Sequence, residues 1–106
     1  MLNNQAHDLT AQGWELANNF CYEDAIRVYN QALQLEPNNP DILILRAGAF
    51  SHLEQYEQAL EDVNQALIFR ADNHQLWLFH GIICHALEKY KKAYCAYEKV
   101  WELENY

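Results

Sequence analysis

The chain has 106 residues, of which 51% are hydrophobic, with three glycines and two prolines. That is enough for one buried core, too apolar for a disordered chain, and short of the breaks an irregular fold needs. A formal charge of −8, from 15 acidic against 7 basic residues, argues against a nucleic-acid or anionic-membrane partner.

The first eight residues, Met1-Leu2-Asn3-Asn4-Gln5-Ala6-His7-Asp8, carry neither the basic residues nor the apolar stretch of a signal peptide. No segment approaches the roughly 20 apolar residues of a membrane span. Cys21, Cys84 and Cys95 form no CxxC pair and no disulfide framework, which predicts a reducing, cytoplasmic setting. Lys89, Lys91, Lys92 and Lys99 are interleaved with Glu88 and Glu98 and read as a solvated helix face.

Apolar residues recur at three- and four-residue intervals, the spacing of amphipathic helices and not of strands. The first helix is predicted over Gln5 to Asn18 and its partner over Tyr22 to Leu35. Glu36-Pro37-Asn38-Asn39-Pro40 then halts the chain. Asn39 suits an N-cap, and Pro40 suits the first helical turn, where a missing N–H costs nothing. The third helix is predicted over Pro40 to Leu53 and the fourth over Tyr56 to Phe69. Arg70-Ala71-Asp72-Asn73 forms the next break, with Asn73 as cap, and helices follow over His74 to Leu87 and Tyr90 to Leu103. Connections of only two or three residues inside each pair make the paired helices antiparallel.

One spacing runs through all six helices. Tyr22, Tyr56 and Tyr90 stand 34 residues apart, as do Ala25, Ala59 and Ala93, and the small residues Gly13, Ala47 and Gly81. Leu9, Leu43 and Trp77 open the three units in the same register. A fixed period of this size means stacked helical hairpins, an architecture that builds binding surfaces. The small residues are expected to face Ala25, Ala59 and Ala93, letting the helix backbones approach.

These residues resemble the tetratricopeptide repeat, whose pattern runs bulky-x2-L-G-x2-Y, then A-x3-F, then proline. Leu9, Gly13, Tyr22, Ala25, Tyr29, Ala32 and Pro37 match in the first unit. Leu43, Ala47, Phe50, Tyr56, Ala59 and Ala66 match in the second, and Trp77, Gly81, Tyr90, Ala93 and Tyr97 in the third. Ala71 replaces the terminal proline of the second unit, and Cys84 takes an aromatic site in the third. The resemblance implies an all-α, right-handed α-solenoid of three helix-turn-helix hairpins, with repeats at about 6–39, 40–73 and 74–106; family members commonly end in an extra solvating helix, and no such C-terminal capping helix is expected here. Arg46 occupies a position where the family usually has leucine, facing the second helix of its hairpin near Asp62, and an internal salt bridge is expected there.

In such a stack the first helix of each unit lines the concave face. The resemblance therefore places His7, Thr10 and Trp14 there from the first unit, Asp41, Ile44, Leu45, Gly48 and His52 from the second, and Gln75, Leu78, Phe79, Ile82 and His85 from the third. Trp14, Ile44, Leu45, His52, Leu78, Phe79, Ile82 and His85 are the expected peptide-binding residues, forming an apolar strip with polar edges. Relatives that capture the acidic tails of heat-shock chaperones use a clamp of lysines, arginine and asparagines on this face. The matching positions here hold Thr10, Trp14, Leu45, Gln75 and Phe79, none of them basic. A carboxylate finds no charge-assisted partner there, so chaperone tails are not expected partners.

Two further surfaces complete the reading. Ile26, Tyr29 and Leu33 should be covered by the second unit, and Leu60, Val63 and Leu67 by the third; their equivalents Tyr94, Tyr97 and Trp101 have no unit after them. Such an exposed aromatic row is expected to be an interface: two copies pack end to end as a homodimer, another partner covers it, or the chain is a fragment whose next helix was cut away. His80 and Cys84, four apart, have the spacing of metal ligands, but their repeat positions point inward and no further ligands are evident. A Cys–His nucleophilic pair lacks an orienting third residue, and burial raises a thiol's pKa. No cofactor, metal or catalytic residue is expected. The reading is a protein-interaction scaffold taking an apolar peptide or helix in its groove; the alternatives are an assembly module joined through Tyr94, Tyr97 and Trp101, and a small chaperone shielding hydrophobic segments.

Overall fold

The computed structural model describes residues 5–105. Residues 1–4, read above for a targeting segment, and Tyr106, the expected end of the third repeat, lie outside them. Among the described residues the only regular elements are six helices: α1 (Gln5–Asn18), α2 (Tyr22–Leu35), α3 (Pro40–His52), α4 (Tyr56–Phe69), α5 (His74–Ala86) and α6 (Tyr90–Glu104). The expected boundaries hold to within one residue at every end. The punctuation also works as expected: the Asn39 side chain accepts from the Asp41 N–H at 3.0 Å, and that of Asn73 from the Leu76 N–H at 3.1 Å.

Each helix packs mainly on its hairpin partner, α1 on α2, α3 on α4 and α5 on α6, while α2–α3 and α4–α5 contacts join the hairpins into an all-α solenoid. The extents of 44 × 29 × 20 Å are those of a short stack. The core is a continuous seam of Ala25, Tyr29, Leu43, Ala47, Ala59, Val63, Ile83, Cys84 and their neighbours. Tyr29 and Leu33 are buried under the second hairpin, and Leu60, Val63 and Leu67 under the third.

Close approach within the hairpins has a different partner from the expected one. A Cβ added at Gly13 would lie 2.5 Å from the Tyr29 ring, and one at Gly81 would lie 2.5 Å from the Tyr97 ring. The glycines therefore make room for an aromatic ring one turn beyond Ala25 and Ala93. In the middle hairpin the same two positions hold Ala47 and Val63, both wholly buried. A smaller second side chain leaves room for a methyl on the first.

Arg46 makes the expected salt bridge. Its Nε and Nη2 donate to the two carboxylate oxygens of Asp62 at 2.8 and 2.7 Å, and its Nη1 donates to Asn30 Oδ1 of the preceding hairpin at 2.9 Å. Its guanidinium also lies 5.6 Å from the Phe50 ring centre. Thirty-four residues on, His80 Nε2 meets Asn64 Oδ1 at 3.0 Å. Both hairpin junctions thus carry the same rung, a side chain of an odd-numbered helix on an asparagine of the helix before it.

Candidate functional site

Helical spacing sends Trp14, Ile44, Leu45 and His52 to one side of the stack, where they border a cavity of about 310 Å³ between α1 and α3. Its end is closed by the Phe20–Tyr22 corner of the first hairpin. The Tyr22 ring stacks on His52, with centroids 4.5 Å apart and planes 5° from parallel. Phe20 meets Tyr22 edge to face. Gly48 lies on the cavity wall, and a Cβ there would meet nothing within 4 Å, so the space is open in front of it. The walls are mostly aromatic and aliphatic, and the lining side chains that carry a polar group are Trp14, Asn18, Tyr22, Tyr29 and His52.

A second, smaller cavity of about 120 Å³ continues along α3 and α5, lined by Ile44, Asn73, Gln75, Leu76 and Phe79. Ile44 is common to both. Leu78, Ile82 and His85 line neither; Leu78 and Ile82 are exposed on the flank of α5, and the His85 ring packs edge to face on Tyr90. The expected groove is therefore split: Trp14, Ile44, Leu45 and His52 come together, Phe79 joins them through Ile44, and the other three stand apart. His7, Thr10 and Asp41 border a separate polar hollow of about 210 Å³ near the α2–α3 loop.

Phe20 was missed by sequence reasoning. It is 79% exposed and has a φ of 64°, in the left-handed region that favours glycine. Glu54 and Glu88, 34 and 68 residues on, adopt the same conformation at 60° and 61°. The hairpin turn imposes this backbone, and a large aromatic in such a setting is a signal available from the repeat alignment alone. Tyr94 and Trp101 are 65% and 63% exposed on the outer face of α6, with Tyr97 partly covered by its ring's contact with Gly81.

His80 and Cys84 are both turned inward. Burial, reinforced by Lys92, pushes the His80 imidazole below its ordinary range. Burial raises the Cys84 thiol, against the pull of Lys89 and Lys92. A protonated thiol 3.7 Å from His80 Nδ1, and a neutral ring donating from Nε2 to Asn64, is the reverse of the thiolate–imidazolium state of a cysteine nucleophile. Among the described residues no cluster of three or more His, Cys, Asp or Glu side chains is placed to hold a metal ion, and no helix is long and apolar enough to cross a membrane.

The tetratricopeptide repeat pattern matches residues 21–81. The chain belongs to the tetratricopeptide repeat family. It is 39% identical over 83 residues to the heat-shock protein cognate co-chaperone sgt12 of Aspergillus fumigatus, covering 78% of this chain and 24% of that protein. The Sgt2 repeat domain of Aspergillus fumigatus superposes with a TM-score of 0.87 at 33% identity, over 96% of this chain and 68% of that one. The first such repeat domain of Spaghetti (RPAP3), bound to the HSP90 peptide SRMEEVD, superposes with a TM-score of 0.89 at 28% identity, over 98% and 82%. The chain spans about a quarter of the length of the curated relatives it matches first.

The RPAP3 complex corrects one expectation. Chaperone tails were excluded as partners because Thr10, Trp14, Leu45, Gln75 and Phe79 carry no cation, but a repeat domain of the same fold and family holds a heat-shock-chaperone peptide. That exclusion weighed charge at five positions alone. The peptide also offers methionine and valine side chains and a backbone with its own hydrogen-bonding groups, and an apolar wall can engage the former.

Proposed function

We propose that this chain is a protein-interaction scaffold whose concave face takes an extended peptide through apolar side chains, heat-shock-chaperone C-terminal tails among them. The observation that carries this reading is the 310 Å³ cavity framed by Trp14, Phe20, Tyr22, Ile44, Leu45 and His52. It has aromatic walls, an open mouth in front of Gly48 and a rigid corner where Tyr22 stacks on His52. One apolar side chain of a peptide fills such a space, and the exposed apolar surface of α5 at Leu78 and Ile82 continues the track.

The test is fluorescence anisotropy with labelled SRMEEVD, using the wild-type chain and Gly48→Phe. The new ring enters open space, so the fold is preserved and circular dichroism should be unchanged. Blocking the cavity should weaken binding by at least about tenfold. Absence of saturable binding to the wild-type chain overturns the chaperone-tail reading. Undiminished affinity of Gly48→Phe overturns the groove.

A second reading rests on a separate observation, the exposure of Tyr94 and Trp101. Two copies joined through α6 would bury them. Sedimentation velocity across a concentration series decides this. Self-association abolished by Trp101→Glu supports it, and a wild-type monomer throughout sinks it.

A further inference from the structure

All four lysines of this acidic chain lie between residues 89 and 99. Lys91, Lys92 and Lys99 stand around a cavity of about 320 Å³ whose remaining walls are Trp77, His80, Cys95 and Ala96. No lining residue is acidic, and none is shared with the two groove cavities. Helical rotation of about 100° per residue puts Trp77 and His80 on the side of α5 away from Phe79 and Ile82. This cavity therefore opens on a different face from the groove.

Its floor offers apolar surface. The Trp77 indole N–H is already donated to the Ala71 carbonyl at 2.7 Å, and both His80 nitrogens are engaged, by Asn64 and by the Cys84 thiol. The lysine stems extend that surface and their ammonium groups crown it. Lys89 reaches Glu57 at 3.8 Å and Lys99 reaches Glu102 at 3.9 Å, long pairs that water screens, while Lys91 and Lys92 make no ion pair among the described residues. Three of the four lysines border this single hollow.

We propose that this cavity is a second peptide site, which takes an acidic segment bearing one bulky apolar side chain. The apolar group lies against Trp77 and the lysine stems, and the flanking carboxylates pair with Lys91, Lys92 and Lys99. Charge complementarity selects a short acidic peptide over a polyanion. A long phosphate backbone would run beyond the three lysines onto a surface where acidic residues outnumber basic ones. The inference is independent of the groove.

The probe is a fluorescein-labelled pentapeptide of leucine flanked on each side by two glutamates, with a glutamine-for-glutamate version as control. Both are titrated into the full chain at low and high salt. The acidic peptide should bind saturably and the control at least about tenfold more weakly. Lys91→Gln with Lys92→Gln should lower affinity by about three- to tenfold and flatten its salt dependence. Cys95→Phe plugs the cavity from an exposed position and should abolish binding, whereas Gly48→Phe should leave it unchanged. In a Cys21→Ser background, with Cys84 buried, the peptide should also slow alkylation of Cys95. The proposal is overturned by absence of saturable binding, by affinity indifferent to the lysine and Cys95 variants, or by tighter binding of a single-stranded oligonucleotide of equal charge.

Discussion

Gly13→Ala and Gly81→Ala make the same change in the same local geometry, yet they should have opposite consequences. In both, the new methyl carbon falls 2.5 Å from Cε1 and 2.8 Å from Cδ1 of a tyrosine ring, far inside van der Waals contact. Something must move. Tyr29 is 1% exposed beneath the second hairpin, and its ring can shift only by giving up its packing there and moving into the cavity beside Trp14 that it borders; burial also holds its phenol above the ordinary range. Tyr97 is 37% exposed with no helix over it among the described residues, so its ring can swing outward. Overpacking costs about 1–3 kcal/mol, and replacing a glycine inside a helix by alanine returns about 1 kcal/mol. Gly13→Ala should therefore lose up to about 2 kcal/mol, while Gly81→Ala should be neutral or gain up to about 1 kcal/mol.

The middle hairpin supplies the control, because Ala47 and Val63 already occupy the equivalent positions, both fully buried. Tyr29→Val opens a void and should be destabilising alone, but Gly13→Ala should cost much less in that background. Urea unfolding followed by far-ultraviolet circular dichroism, arranged as a double-mutant cycle, measures the coupling. Equal losses for Gly13→Ala and Gly81→Ala would show that ring freedom does not decide the outcome. Zero coupling between residues 13 and 29 would show that the contact itself does not.

Three further outcomes are expected. Phe20→Gly should relieve the left-handed backbone and raise stability by about 1 kcal/mol while weakening peptide binding, whereas Glu54→Gly should stabilise without affecting binding; chemical denaturation and anisotropy read the two effects separately. Arg46→Leu should cost about 3–5 kcal/mol by leaving the Asp62 carboxylate buried without its partner, and adding Asp62→Leu should recover most of that loss in thermal unfolding. Burial, with Lys92, holds the folded-state pKa of His80 below that of the unfolded chain, so on acidification the unfolded chain takes up its proton first. Its contribution to stability is present in full above the ordinary histidine pKa of 6.5 and is lost as pH falls toward the lower folded value; His80→Leu should remove that part of the slope in denaturation curves taken across this window.

The helices were legible because Asn39-Pro40 and Asn73 punctuate them and the 34-residue period repeats every boundary. Arg46 was legible too, as a cation in a leucine slot with Asp62 sixteen residues on. The partner of Gly13 was not, since choosing between Ala25 and Tyr29 depends on how the two helices meet along a single turn. Trp14, Leu45 and His52 converge because they share a face that periodicity defines. Leu78 and Ile82 share that periodicity but stand clear of the cavities, because shape depends on what lies opposite and not on spacing. The cavity among the lysines was hidden for the same reason: along α6 alone they read as a charged stripe, and only the α5–α6 packing brings Trp77 and His80 beneath them.

The two asparagine rungs are alike in geometry but unlike in strength. At the first junction a permanently charged guanidinium ties three helices together through Asn30 and Asp62; at the second a neutral imidazole reaches only Asn64 across the junction, its other nitrogen meeting Cys84 of its own helix. Fraying should accordingly begin at the C-terminal hairpin and stop at the guanidinium. The cleft beside Trp14, Leu45 and His52 is built entirely within the two hairpins on the firm side of that rivet. On warming, the lysine-crowned hollow between α5 and α6 should therefore loosen before the cleft does.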